Sequence, residues 1–134
     1  KPIIIDINSL GGSAIDGFCV YEILKRYDKS PIITFNSGCT MSAALLIFMA
    51  GDKRLGLNYC EFLFHGAKDH SDFYGADPKG LEIASKQLKV MNNEMAQLMA
   101  DVTKKEKRYW SGKVKGDFTF KKKEALDLGV VTEE

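Results

Sequence analysis

Apolar residues in this chain come first in short blocks and later in a helical stripe. The opening block, "PIIIDINS", is rich in β-branched residues and ends in Asn-Ser-Leu-Gly-Gly. Such a run suits a strand buried in a parallel sheet and followed by a turn. "SAIDGFCVYEILKRY" is apolar for nearly its whole length and predicts a helix, with Ser13 placed to cap it. "KSPIITF" reads as a second buried strand after a proline break. "NSGC" then reads as a turn, and Thr40 to Ala50 as a second helix stopped by Gly51. "KRLGL" and "YCEFLFH" are further short strands. Strand, helix, strand, helix in this order implies right-handed crossovers and an α/β domain.

The next segment, "AKDHSDFYGADPKG", is polar and punctuated by Gly and Pro, which predicts a loop or an edge hairpin. Beyond it Leu81, Ala84, Leu88, Met91, Met95, Leu98 and Val102 recur at alternating steps of three and four. This is the strongest periodic signal in the chain and marks a long amphipathic helix. Such a helix ordinarily covers a sheet. Its strict seam, carrying Met91 and Met95, leaves packing against another subunit open. "EALDLGVV" reads as a short helix with a glycine stop, leading into a final strand. There is no internal repeat and no domain boundary, so residues 1–134 read as a single domain. The first residue is Lys, and Ile3 to Ile7 already read as a strand, so the chain reads as a piece of a longer protein or a processed product.

Composition narrows the partners. The formal net charge is +1, so no global field recruits nucleic acid or a membrane surface. Lysines gather in "TKKEKRYW" and "FKKKEAL", where no aromatic ladder accompanies them, and they read as a solvated face. No apolar run reaches the length of a membrane span. Cys19, Cys39 and Cys60 are odd in number, lack CxxC spacing and lie in apolar stretches. They read as buried free thiols in a reducing compartment.

One hydroxyl stands out. Ser42 falls in the opening turn of the second predicted helix, among Met and Ala, where a core would accept Ala more readily. A residue there lies near unpaired N–H groups and the positive end of the dipole, so its hydroxyl can serve as a nucleophile with a stabilised oxyanion. A base is then needed. His65 ends the strand "CEFLFH", whereas His70 lies in the polar loop and reads as solvated. Asp117, in "KGDFTF", can sit in a partly buried turn and orient the base. The bland alternative is a small core serine and a satisfied histidine.

Four motifs in order bear on that choice. "INSLGGSAIDGFCVYEILK" resembles the "INSPGGS…G…IYD" segment of the proteolytic subunit of Clp proteases, the ClpP peptidases. "GCTMSAALLIFMAG" matches that family's nucleophile segment without a gap, with Gly38 at its start, Ser42 at the nucleophile position and Ala50-Gly51 at its end. "KRLGLNYCEFLFHGA" follows "KR…L…N…MIHQP" through Lys53, Arg54, Asn58 and His65. "EALDLGVV" resembles "EAxEYGLVD", and counting back from Glu124 puts Asp117 on the triad acid. The resemblance covers essentially the whole chain.

It implies a ClpP/crotonase-like α/β spiral of βαβ units, with the family's N-terminal elements missing. It implies Ser42 as nucleophile, His65 as general base and Asp117 as its orienter, with the backbone N–H groups of Gly12 and Ala43 as oxyanion hole. The implied reaction is peptide-bond hydrolysis in unfolded polypeptides through an acyl-enzyme. The implied partners are further copies of the chain in heptameric rings and an AAA+ unfoldase. That unfoldase uses the ATP, so no cofactor is expected here, and the implied compartment is the cytoplasm or an organelle stroma or matrix. Residues 68–80 and the long helix match the handle region that joins stacked rings.

The chain also departs from the pattern. Leu10 stands where the family has Pro, and "HGAKD" replaces "HQP". Three other readings share the fold: an inactive ClpR-like ring subunit, a Ser-Lys dyad peptidase using Lys53 or Lys68, and an acyl-CoA enzyme of the crotonase kind.

Overall fold

A computed structural model describes residues 1–68 and 71–134. Its elements are β1 (Ile3–Ser9), α1 (Ala14–Arg26), β2 (Ile32–Met41), α2 (Ala43–Phe48), β3 (Lys53–Gly56), β4 (Glu61–Phe64), α3 (Ser71–Tyr74), α4 (Pro78–Thr103), α5 (Lys107–Lys113), β5 (Phe118–Lys121) and α6 (Lys122–Leu128). The α/β architecture is as expected. Ser13 caps α1 by accepting from the Asp16 N–H at 3.3 Å, also as expected.

The long strand β2 organises the sheet. It pairs in parallel with β1, with β3 over Ile33–Asn36 and with β4 over Cys39–Met41. The fifth strand, β5, runs antiparallel to β4. Thus "NSGC" is not a turn but part of β2, and Thr40 and Met41 are strand rather than helix. The turn-forming residues make a bulge instead: Ile7 pairs with Asn36, whereas Ser9 pairs with Thr40. Side chains satisfy the irregular backbone. Asn8 accepts from the Cys39 N–H at 3.0 Å, and buried Asn36 accepts from the Gly38 N–H at 3.0 Å while donating to Glu61 O at 2.9 Å. The bulge lets β2 continue with its second half paired to a different neighbour.

The core lies between the sheet, α2 and the C-terminal half of α4. Phe62 is flanked by Phe48 and Phe120, and Phe64 meets Trp110 edge to face. Trp110 is fully buried, and its indole N–H donates to Thr103 Oγ1 at 3.0 Å. The helix α5 and the strand β5 that carry these contacts have no counterpart among the predicted elements. Each is too short, and too crowded by lysine, to show a period. No final strand follows α6 among the described residues. Gly129 ends the helix in a left-handed conformation, and the chain is then tied to β3 by backbone contact with Arg54.

Three expectations about burial need correction. β1 is parallel as expected, but it is the edge strand rather than a buried one: Ile3 and Ile4 are exposed, and within it only Ile7 is buried. Only Cys60 is a buried thiol; Cys39 is half-buried and Cys19 exposed. Burial pushes the Cys60 thiol up. The seam of α4 also divides. Met91, Met95 and Leu98 are buried within this chain, so charging them would damage its own fold rather than only a contact between subunits. The part left open is N-terminal, with Leu81, Ile83 and Val90 exposed. The short helix α3 lies in what the sequence predicts as loop or hairpin, and His70 lies outside the described residues.

Arg54 closes the C-terminal end of the fold. Its guanidinium donates to Val130 O at 2.8 Å, Gly51 O at 3.0 Å and Gly129 O at 3.1 Å, and burial lowers its pKa. Methionine fills similar space but orphans three carbonyls. Arg54→Met is expected to cost about 3 kcal/mol, the scale of losing charge-assisted bonds to buried acceptors. Urea denaturation reads it as a lower midpoint at unchanged slope.

Candidate active site

Strand register brings the candidate residues together. In the parallel pair β2–β4, Met41 stands opposite Leu63, and Ser42 N–H donates to Leu63 O at 2.9 Å. In the antiparallel pair β4–β5, Phe64 stands opposite Phe118. One step beyond that pair on both strands places His65 opposite Asp117. Ser42, His65 and Asp117 therefore cluster at one edge of the sheet, at the carboxyl ends of parallel strands, where open α/β sheets bind ligands. Gly11 and Gly12 reach the same edge from the end of β1.

Ser42 is the strained member. Its φ of 56° and ψ of −124° lie in a sparsely populated region for a residue with a Cβ. It occupies the cap position of α2, yet its hydroxyl makes no capping hydrogen bond. The hydroxyl is thus unspent on local structure. Gly11, at φ +105°, packs directly over it: a Cβ on Gly11 would lie 2.6 Å from Met41 O and 2.8 Å from Ser42 Cβ. The need for glycine here is both conformational and steric.

Ser42 and His65 line a cleft of about 530 Å³, together with Gly12, Asp16, Lys68 and Met95. Ala43 lines the adjoining hollow, which shares Gly12. The first N–H groups of a helix lack intrahelical acceptors, so Ala43 begins α2 with its amide available. Among the described residues, no group of three or more His, Cys, Asp or Glu is arranged to hold a metal.

His65 is held mostly out of water, with its side chain 16% exposed. Its Nδ1 lies 3.7 Å from Asp117 Oδ1, beyond hydrogen-bond reach, and has no hydrogen-bond partner among the described residues. Asp117 is more open than the sequence suggested, at 61% side-chain exposure. Burial pushes the His65 pKa down from its ordinary 6.5, the Lys68 cation pushes it the same way, and Asp117 opposes both.

Two further residues bear on the site, and only Asn92 escaped the sequence reading entirely. Asn92 of α4 accepts from the Ala67 N–H at 2.7 Å, and Val114 O accepts from the Gly66 N–H at 3.1 Å, which fixes the segment leaving His65. An Asn pair within a helix is a poor propensity choice, and that was the available signal. Lys68, offered by the sequence as a candidate dyad lysine rather than as a partner of the acid, has its Nζ 3.9 Å from the same Asp117 Oδ1. Lys53 is remote from this edge and pairs with Glu133 at 3.2 Å.

The Clp protease family profile matches residues 1–133 of this chain. The chain belongs to the Clp protease family. It is 30% identical to the ATP-dependent Clp protease proteolytic subunit 2 of Treponema denticola, over 98% of this chain and 65% of that protein. The Corynebacterium glutamicum protein of the same name is 29% identical, over 98% of this chain and 64% of its own length. The chain thus spans about two thirds of the length of these Clp relatives. Among solved structures, the ClpP1 N165D mutant from Listeria monocytogenes superposes with a TM-score of 0.85 at 27% identity, covering 98% of this chain and 72% of that one. The fold is that of ClpP. Among the described residues, no helix is long and apolar enough to cross a membrane.

The histidine makes a sign-definite prediction. Its folded pKa is lowered, so between that value and the ordinary 6.5 the unfolded chain binds more protons than the folded one. Stability is therefore expected to fall as pH drops below about 6.5 and to flatten below the folded pKa. An NMR titration of His65 should show a midpoint below 6.5, and His65→Asn should remove that part of the stability slope. A midpoint at or above 6.5 contradicts the burial argument.

Proposed function

We propose that this chain is a serine peptidase, the proteolytic subunit of a Clp-type protease. The observation that carries the reading is the strained Ser42, with its hydroxyl unspent, sharing a cleft with the sheet-anchored His65. Ser42 attacks the scissile carbonyl, and its proton passes to Nε2 of His65. Asp117 orients the imidazole through Nδ1–H. The amides of Gly12 and Ala43 stabilise the oxyanion. The leaving amine takes the proton from His65, and water then hydrolyses the acyl-enzyme. The substrate is unfolded polypeptide, delivered by an AAA+ unfoldase that consumes ATP; this chain itself uses no cofactor.

A catalytically silent ClpR-like subunit is the second reading, and the 3.7 Å gap between His65 and Asp117 is the observation that favours it. The backbone strain at Ser42 speaks for activity, because such strain costs on the order of 1–3 kcal/mol and clusters where it serves chemistry. A Ser-Lys dyad has less support. Lys53 is paired elsewhere, and the Lys68 ammonium lies beside Asp117.

Assembly follows from the open half of α4. Leu81, Ile83 and Val90 present apolar surface on a helix whose other half is already committed to the core. Burial against further copies in a ring, or between stacked rings, would cover it.

A fluorophosphonate probe is expected to label Ser42, and Ser42→Ala to abolish the label. Asp117→Asn should slow labelling by up to about ten-thousandfold, the scale of a triad imidazole held in the wrong tautomer. Labelling that survives Ser42→Ala would refute the assignment. For assembly, Leu81→Glu with Val90→Glu should dissociate the oligomer in sedimentation while leaving the circular dichroism of the protomer unchanged. A double variant that sediments like the parent would place the interface elsewhere.

A further inference from the structure

We infer that Lys68 is a positioning residue that competes with His65 for a single oxygen of Asp117, so that the base and its orienter engage only when Lys68 withdraws. The inference rests on the peptidase reading above. Both nitrogens address Asp117 Oδ1, His65 Nδ1 from 3.7 Å and Lys68 Nζ from 3.9 Å. Neither reaches hydrogen-bond distance. The same carboxylate oxygen is thus shared by a donor and a cation, and fully engaged by neither.

The cost falls on His65. Its Nδ1 is buried and has no hydrogen-bond partner among the described residues, an arrangement native proteins mostly avoid. Such an orphan calls for an explanation, and the position of Asp117 supplies it: a shift of under an ångström toward His65 would close the bond. The backbone does not prevent that shift from mattering, because the Ala67 amide bonded to Asn92 and the Gly66 amide bonded to Val114 O hold the histidine segment still. Among the described residues, Asp16 is the other charged residue lining the cleft, and the ion pairs of Asp117 are with His65 and Lys68.

The two competitors differ in exposure. The Lys68 side chain is 71% exposed and that of His65 is 16% exposed. Salt screens exposed charges more than buried ones, so added salt weakens the lysine's hold before the histidine's. Removing Lys68 should therefore let Asp117 accept from Nδ1–H, which fixes the tautomer with Nε2 free to take the serine proton. The effect is bounded by what an exposed ion pair can do.

The test uses Lys68→Met and Lys68→Arg in the whole chain, with fluorophosphonate labelling of Ser42 as one readout. The second is the downfield proton NMR signal of His65 Nδ1–H, assigned by its loss in His65→Gln. Lys68→Met should label faster than the parent at low salt, by up to about fivefold, the ceiling of an exposed pair. The difference should shrink as the Debye length falls from about 30 Å at 0.01 M to about 3 Å at 1 M ionic strength. Lys68→Arg keeps the cation and should behave like the parent. The downfield proton should be stronger in Lys68→Met. A purely structural role for Lys68 would not produce convergence with salt. Normal labelling in the parent with an indifferent or slower Lys68→Met, and no new proton signal, overturns the competition and leaves the peptidase reading standing. Absence of labelling in the parent refutes the peptidase reading, and the proton signal alone then decides whether Lys68 holds Asp117 away.

Discussion

The structure depends on one crowded contact, the packing of Gly11 onto Ser42. Ser42 has a backbone conformation that its own Cβ disfavours, and nothing within α2 compensates for it. The compensation is tertiary. The Ser42 amide is tied to Leu63 O of β4, and the ends of β2 and β1 are held in register below it. Above it, Gly11 lies closer than any side chain would permit. Gly17 of α1 meets Ala43 in the same way, so α1 can approach α2 without a side chain between them. Three parallel strands and two helices are thus locked to one residue. The bulge in β2 belongs to the same device, because it sets where β2 ends relative to β1 and so where Ser42 emerges.

Much of this fold was legible in the sequence, for reasons that can be named. The β-branched blocks at Ile3–Ile7 and around Ile32 announce strands, although only the second is buried and β1 lies exposed at the sheet edge. Ser13 before an apolar run is a cap signal, and α4 carries a long, regular period. What misled was local chemistry overridden at a distance. Asn36-Ser37-Gly38 has turn residues, but Asn8 and Asn36 satisfy the backbone there, so the strand runs through to Met41. The seam of α4 was read correctly as apolar but not divided, because nothing in the periodicity tells which half meets the chain's own core. The residues α5 and β5 contribute to that core are few, and only Trp110 and Phe120 among them are fully enclosed.

The candidate site was legible in a different way. Ser42 was conspicuous because a hydroxyl in a small apolar segment asks for a purpose. His65 was favoured over His70 because a strand end fixes it. Asp117 was offered from its place in "KGDFTF" and supported by the motif that follows it, but its pairing with His65 was not legible, since the antiparallel register that sets it there belongs to β5, which the sequence does not announce. Asn92 was not singled out at all, and Lys68 only as a candidate dyad lysine. Their roles come from where loops and a helix cross the cleft, and pairwise proximity of that kind leaves no periodic trace.

The site therefore divides into two layers with different physics. Hydrogen-bonded register sets the backbones of Ser42, His65 and Asp117, and a slip of one residue would turn each side chain to the opposite face. Side-chain alignment is set by something far weaker. Asp117 and Lys68 are both exposed by more than half, so their attraction is screened and worth at most about 1 kcal/mol. A single kilocalorie shifts an equilibrium about fivefold, which is little beside the stability of a sheet but enough to decide whether a carboxylate engages an imidazole. The register brings the three candidate groups to one edge of the sheet. On the competition proposed above, whether they act as a unit is left to a screened contact that salt can tip. In a Clp-type subunit that separation has a physical advantage: the costly part of the site can be assembled once, by folding, while its alignment stays adjustable without unfolding anything.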